Sequence, residues 1–568
     1  MGQQAGDGEV SAKSFGKRAE APVEAIPKAQ TWRPEAALAS GVRDCSREQT
    51  GRGYNTMLRD AKMEIHVYGI GVFLSSRMKL RMRQSVLLFH ALVLAFPTAS
   101  WAAAPAQEAG PGPGTNGGYY GNHSVAPDHM IGIDRFINDA GDTVVLISDY
   151  QSGVVRRLFP VSETESVMGP GFDVQSPPEL RVRFVRDSKR NVTGLSLQWA
   201  NGTTNSAKRV PLMEQEVTFT DGAVRLAGTL MLPATKGPHP AIVLLHGSGP
   251  LTRYSFGPYP HFFTSLGFAV LIYDKRGTGA STGTLVDAST GDPAHLPAEY
   301  YPEGLVDDAL AAFRYLQGRK EINPKEIGVW GSSEGGMLAT QAAARNKDIA
   351  FAICSSGFMG PLWETLYYQA ARGRDLSAAQ ADEVLAFTRL WMKVARTGND
   401  YELFLKQREE ARREKPWLFS YTSADFTSLE QMRWTWDHIL SFSPLPALSQ
   451  VACPVLGLWG ELDQSTDAAA ERNMRGALSK SENRDVTTKI FPNASHPLME
   501  MPSGSRMAPG VFETLRTWLL ARVHAPGLAT DCGPGINSDD RPELWTPYVF
   551  TNPADAERFG VLQGTSSD

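Results

Sequence analysis

Ile327-Gly-Val-Trp-Gly-Ser-Ser-Glu-Gly-Gly336 decides the fold of this chain. Its first four residues predict a short buried strand, Gly331-Ser-Ser-Glu-Gly335 a tight turn, and the residues from about Met337 to Ala344 a helix. Gly-x-Ser-x-Gly between a strand and a helix holds its central serine, here Ser333, in a strained turn that lifts the hydroxyl clear of the sheet. The flanking glycines let strand and helix close on that turn without a Cβ clash. The helix then starts behind the serine, with free N–H groups and the positive end of its dipole facing any anion formed there.

Outward from this stretch, buried strands alternate with helices. Upstream, Glu216 to Leu232 reads as a hairpin, and Ala241-Ile-Val-Leu-Leu245 is the continuous apolar run of a strand covered on both faces. That strand ends in His246-Gly-Ser-Gly-Pro250. A helix near Phe262 precedes the strand Ala269–Tyr273, which runs into Asp274-Lys-Arg-Gly-Thr-Gly-Ala-Ser281, and a helix follows from Gly304 to about Leu316. Downstream come strands at Ala350–Cys354, Val455–Trp459 and Val486–Phe491, then a helix from about Val511 to Val523. The pattern predicts a doubly wound, mostly parallel α/β sheet over residues 213–525, with its chemistry at the carboxyl ends of the strands. Between Cys354 and Pro454, helical periodicity over Leu376–Thr397 and Tyr401–Lys415, with Trp417, Trp434 and Trp436, predicts a helical cap at about 357–450.

Ahead of the sheet, residues 123–212 carry short alternating runs such as Thr143-Val-Val-Leu-Ile-Ser148 and Leu180-Arg-Val-Arg-Phe-Val185, parted by Asn/Asp/Gly turns. They predict a small, mostly antiparallel β-rich domain without catalytic features. Residues 103–122, with Pro111-Gly-Pro-Gly-Thr-Asn-Gly-Gly118, read as a flexible spacer. Residues 78–102 have the basic, apolar, small-residue order of a signal peptide, with cleavage expected after Ala102, so the mature chain is expected to be exported to the periplasm or secreted, without an integral membrane span. Residues 1–77 stand in front of that signal as a polar leader, and translation is expected to begin at Met78 or Met82. Residues 526–568 form a tail with no assigned role.

Composition bounds the partners. At 568 residues, 42% hydrophobic and 21% charged, the chain is that of a multidomain globular protein, and a net charge of -5 gives no reason to expect nucleic acid. The four cysteines, Cys45, Cys354, Cys453 and Cys532, have no metal-ligand spacing with histidine and form no dense disulfide framework. Neither a metal nor any other cofactor is expected.

His246-Gly-Ser-Gly249, Asp274-Lys-Arg-Gly-Thr-Gly279, Gly331-Ser-Ser-Glu-Gly335, Gly460-Glu-Leu-Asp463 and Ser495-His496 together resemble the α/β-hydrolase family over about Glu214 to Val523. The chain is most similar to its bacterial esterase branch, dienelactone-hydrolase-like and prolyl-oligopeptidase-type catalytic domains included. The resemblance implies a triad in the chain order Ser, acid, His. Ser333 is the nucleophile, Asp463 the acid in the loop after the Val455 strand, with Glu461 and Asp467 as nearby rivals, and His496 the base after the last strand. His524, beyond the last helix, competes poorly. The oxyanion donors implied are the backbone N–H groups of Glu334 and of Ser248, with Gly249 as the alternative. His246, Asp274 and Arg276 read as loop-bracing residues. The expected function is a serine hydrolase cleaving small-molecule carboxylic esters through an acyl-enzyme. Peptidase, thioesterase and lactonase activity stay open, as does a non-catalytic binding protein that kept the fold. The β-rich region is too short for the propeller that large peptidases of this kind carry.

Overall fold

A computed structural model of the chain describes residues 119–524, apart from 139–140, 287–300, 372–375, 423–425, 427 and 482. The leader, the signal segment, the spacer up to residue 118 and the tail lie outside the described residues. The apolar runs of the sequence become an eight-stranded sheet in the order β16-β15-β14-β13-β11-β12-β10-β9. β9 (Leu212–Asp221) and β10 (Val224–Pro233) form the expected antiparallel hairpin, and β10 runs antiparallel to β12 (Ala269–Tyr273). The rest is parallel: β11 (His239–Leu245) beside β12 and β13 (Ile322–Ser332), then β14 (Ala352–Ser355), β15 (Val455–Gly460) and β16 (Val486–Phe491).

β11, β12, β14 and β15 are buried throughout, and their residues divide by parity between the two faces, as the two-residue repeat of a strand requires. Ala241, Val243 and Leu245 of β11 pack into one apolar layer with Phe313 and Met337. Ile242 and Leu244 enter the opposite layer with Phe262, Phe512 and Trp518. The connection from β11 goes to β12 on one side, and the next parallel strand, β13, lies on the other. The order therefore reverses at the β11/β13 pair, the kind of crevice where doubly wound sheets bind ligands.

Between β14 and β15 the chain forms helices Leu362–Ala371, Ala378–Thr397, Tyr401–Glu414, Leu429–Thr435 and Leu445–Leu448. The second begins with a full capping box between Ser377 and Gln380 and stops at Gly398, whose φ of 76° is left-handed. This insertion is tied to the loop after β15: Tyr368 Oη donates to the carbonyl of Asp463 (2.8 Å) and Gln369 Nε2 to that of Ser465 (3.0 Å).

The N-terminal region is a closed antiparallel barrel of eight strands, β1 (Gly121–Ala126), β2 (His129–Ile137), β3 (Thr143–Asp149), β4 (Val155–Ser162), β5 (Glu165–Met168), β6 (Leu180–Arg186), β7 (Val192–Trp199) and β8 (Thr204–Arg209). Pairing of His123 with Arg209 and of Ser124 with Lys208 closes it. Gly121 and Asn122, read as the end of the spacer, are already strand. Ile131, Ile147, Leu158, Val182, Phe184 and Leu197 fill the interior, as expected for a barrel this narrow. The barrel sits on the helix Tyr259–Ser265. Asn122 Nδ2 donates to the His261 carbonyl (2.7 Å) and to Thr264 Oγ1 (3.0 Å), and His261 Nδ1 lies 2.6 Å from Asp134 Oδ1. Burial holds the Asp134 carboxyl above the usual carboxylate range, against the pull of His261. A second seam joins the barrel to the segment after β16: Val155 N–H donates to Ser505 O (3.1 Å) and Met507 N–H to Gly153 O (2.7 Å).

Candidate active site

Ser333 follows β13 directly, with φ 58° and ψ -124°, a conformation sparsely populated by L-residues, and the helix Glu334–Arg345 starts at the next residue. The helix was expected from about Met337, three residues later; packing of the turn overrides the poor helix propensity of Gly335 and Gly336. A Cβ on Gly331 would stand 2.0 Å from the Gly335 carbonyl oxygen, and one on Gly335 would stand 2.1 Å from that of Leu245. Both glycines are therefore required for helix, β13 and β11 to meet at the serine.

Asp463 and His496 stand at the carboxyl ends of the neighbouring strands β15 and β16. His496 Nδ1 lies 2.9 Å from each Asp463 carboxylate oxygen. The carboxylate is buried and also accepts from the backbone N–H groups of Ser465 (2.7 Å) and Thr466 (2.9 Å), while the imidazole keeps 15% of its surface exposed. Ser356, at a left-handed φ of 51°, joins the two loops: its hydroxyl donates to the His496 carbonyl (2.7 Å), and its own carbonyl accepts from Thr466 Oγ1 (2.9 Å).

The rivals have other employment. Glu461 is exposed and accepts from Asn493 N–H (3.0 Å), and Asp467 accepts from Ala469 N–H (2.8 Å) at the start of a helix. His524 is exposed and faces Glu326 at 2.9 Å. His246 is buried between the rings of Phe256 and Tyr273, with centroids at 4.5 and 5.3 Å. Burial, reinforced by the charge of Lys275, pushes its pKa down to about 3, so it is neutral at ordinary pH. Asp274 would be raised by burial, but the Arg253 guanidinium (2.9 and 3.1 Å) and the N–H groups of Arg253 and Ala280 outweigh that and hold it low. Arg276 clamps Asp308 (2.7 and 2.9 Å) and Asp221 (2.9 Å).

The loop after β11 lies against the serine: a Cβ on Gly247 would be 3.5 Å from that of Ser333. Ser248, the next residue, is buried. Sequence reasoning passed over Lys275, which stands between Asp274 and Arg276 with its ammonium group buried. Lys275 Nζ donates to the Gly247 carbonyl (2.9 Å), the Gly249 carbonyl (3.4 Å) and Glu334 Oε2 (2.7 Å). Only its place two residues after the buried Tyr273 hinted at this. Ser356 and Tyr368 were missed as well, since a hydroxyl bonded to a distant carbonyl leaves no local pattern. Among the described residues, no group of three or more His, Cys, Asp and Glu is placed to hold a metal ion, and no helix is long and apolar enough to cross a membrane.

Residues 242–505 match the model of the alpha/beta hydrolase family. The quorum-quenching protein AidA of Acinetobacter baumannii is 28% identical over 27% of this chain and 47% of its own length. The esterase EstD of Thermotoga maritima is 36% identical over 30% of this chain and 39% of its own, and the thiohydrolase aneE of Aspergillus aculeatus 30% identical over 25% and 40%. The chain thus spans less than half the length of each of these relatives.

Proposed function

From the premise that this chain carries an alpha/beta hydrolase family domain, we propose that it is a serine hydrolase cleaving carboxylic esters through an acyl-enzyme. The observation that carries this reading is the His496–Asp463 pair, bonded at 2.9 Å at the ends of adjacent strands, in a sheet whose elbow presents Ser333 in a strained turn. In the proposed mechanism Asp463 accepts the Nδ1 proton of His496 in a hydrogen bond, which leaves Nε2 unprotonated as the base. His496 takes the Ser333 proton as the hydroxyl attacks the ester carbonyl, then returns it to the departing alcohol. Water repeats the cycle on the acyl-enzyme. The tetrahedral oxyanion is received by the N–H groups of Glu334 and Ser248, with Gly249 as the alternative to Ser248.

The insertion between β14 and β15 serves as a helical cap over this centre, a role supported by its bonds to the Asp463 loop. The signal-like segment at 78–102 supports export to the periplasm or beyond. The likeness to the esterase EstD, at 36% identity against 30% for the thiohydrolase aneE, supports an ester substrate. A fluorophosphonate probe tests the reading. It should label Ser333 in the wild-type protein, and Ser333→Ala should lose both labelling and turnover of p-nitrophenyl esters while Ser332→Ala keeps much of each. Equal loss in two folded variants would move the nucleophile elsewhere.

A further inference from the structure

We infer that Lys275 is a positioning residue for the oxyanion site, aiming the Ser248 N–H and neutralising the carboxylate beside the serine. The inference rests on the serine-hydrolase reading above. It begins with the peptide linking Gly247 to Ser248. A trans peptide is planar, with its C=O and N–H pointing in opposite directions. Lys275 Nζ holds the Gly247 oxygen at 2.9 Å, so the Ser248 N–H is turned away from the ammonium group. The same ammonium bonds the Gly249 carbonyl at 3.4 Å, fixing the loop on both sides of Ser248. This loop borders the nucleophile, since a Cβ on Gly247 would be 3.5 Å from the Ser333 Cβ.

The ammonium also bonds Glu334 Oε2 at 2.7 Å, and the two side chains are 3% and 0% exposed. Glu334 supplies the other proposed donor through its backbone. One buried cation therefore ties together the segments that carry both donors. Glu334 also needs this partner, because a buried carboxylate next to Ser333 would repel the negative charge that develops on the substrate oxygen. Paired with Lys275 at 2.7 Å, its charge is compensated. A cation on the Gly247 oxygen further polarises that peptide and makes its N–H a stronger donor.

The experiment compares wild type, Lys275→Met, Lys275→Arg and the double variant Lys275→Met/Glu334→Gln, which removes both members of this buried ion pair together. Competent sites are counted by end-point fluorophosphonate titration, so that misfolded protein drops out of the comparison. Per titrated site, kcat for a p-nitrophenyl ester should fall by about 10²-fold in Lys275→Met and in the double variant, with KM within about twofold, as for loss of one oxyanion donor. Affinity for a trifluoromethyl ketone, whose serine adduct carries the oxyanion, should fall by the same factor as kcat/KM. Lys275→Arg, which can keep the charge and a donor, should recover part of the loss. If Lys275→Met fails to fold, the double variant carries the comparison. A kcat per site within twofold of wild type, or an unchanged ketone affinity, overturns the inference. Failure of the wild type to label at Ser333 would instead remove the serine-hydrolase reading beneath it.

Discussion

Asp463 and Glu461 share one loop and differ in what surrounds them. Asp463 is buried with His496 and two backbone N–H groups, whereas Glu461 is exposed and braces the turn at Asn493. Asp463→Asn keeps the shape but puts an amide opposite His496 Nδ1 and favours the wrong tautomer. It should lower kcat by roughly 10⁴-fold, by analogy with the serine-protease triad. Glu461→Gln should cost less than about tenfold, because it touches neither the imidazole nor the serine. Steady-state kinetics of the two purified variants decide the assignment, and a larger loss in Glu461→Gln would move the acid two residues back. Residue identity and strand order made Ser333, Asp463 and His496 legible as candidates. Lys275 and Ser356 were not, because their partners, Gly247 and Glu334 for one and His496 and Thr466 for the other, come from segments far apart in sequence.

At the scale of elements, the elbow is the most constrained junction. Gly335→Ala would place a methyl group 2.1 Å from the Leu245 carbonyl oxygen and 2.7 Å from that of His246, both backbone atoms of the neighbouring strand and loop. We expect it to destabilise the fold by at least about 1–3 kcal/mol, the usual range for overpacking, seen as a lower urea midpoint with little change in m. Gly476→Ala, where nothing lies within 4 Å and the residue is in a helix, should be neutral or slightly stabilising. The legible elements were those with a local period. β6 alternates, with Leu180, Val182 and Phe184 inward and Arg181, Arg183 and Val185 outward. β8, Thr204-Asn-Ser-Ala-Lys-Arg209, buries only Ala207 and shows no such signal; it exists because β1 and β7 pair with it on either side. Barrel closure, a contact between the first and last strands, has no signature in any short window.

On the scale of the molecule, buried histidines shape the response to acid, His123 and His246 among them. Burial, with the charges of Arg209 and Lys275 respectively, lowers His123 and His246 to about 3. In the unfolded chain each titrates near 6.5, so between about pH 6.5 and 3 the unfolded state binds the extra protons and stability falls as pH drops. At pH 5 each histidine should cost about 2 kcal/mol. Asp134, held high by burial, acts with the opposite sign and softens the decline at the acid end. His123→Leu should flatten the slope of unfolding free energy against pH by about 1 kcal/mol per unit within that window, read from urea melts at pH 5, 5.5 and 6. An unchanged slope would mean that His123 is protonated in the folded barrel. The seam between the barrel and the segment after β16 has a consequence in time. Gly153 and Val155 hold Ser505 and Met507, just beyond His496, yet the barrel strands are synthesised well before that segment. At ordinary rates of synthesis the two are separated by roughly 20 to 70 s. A growing chain therefore carries Ser333 and the barrel well before it has His496, and the proposed centre can assemble only once the segment beyond His496 has been made.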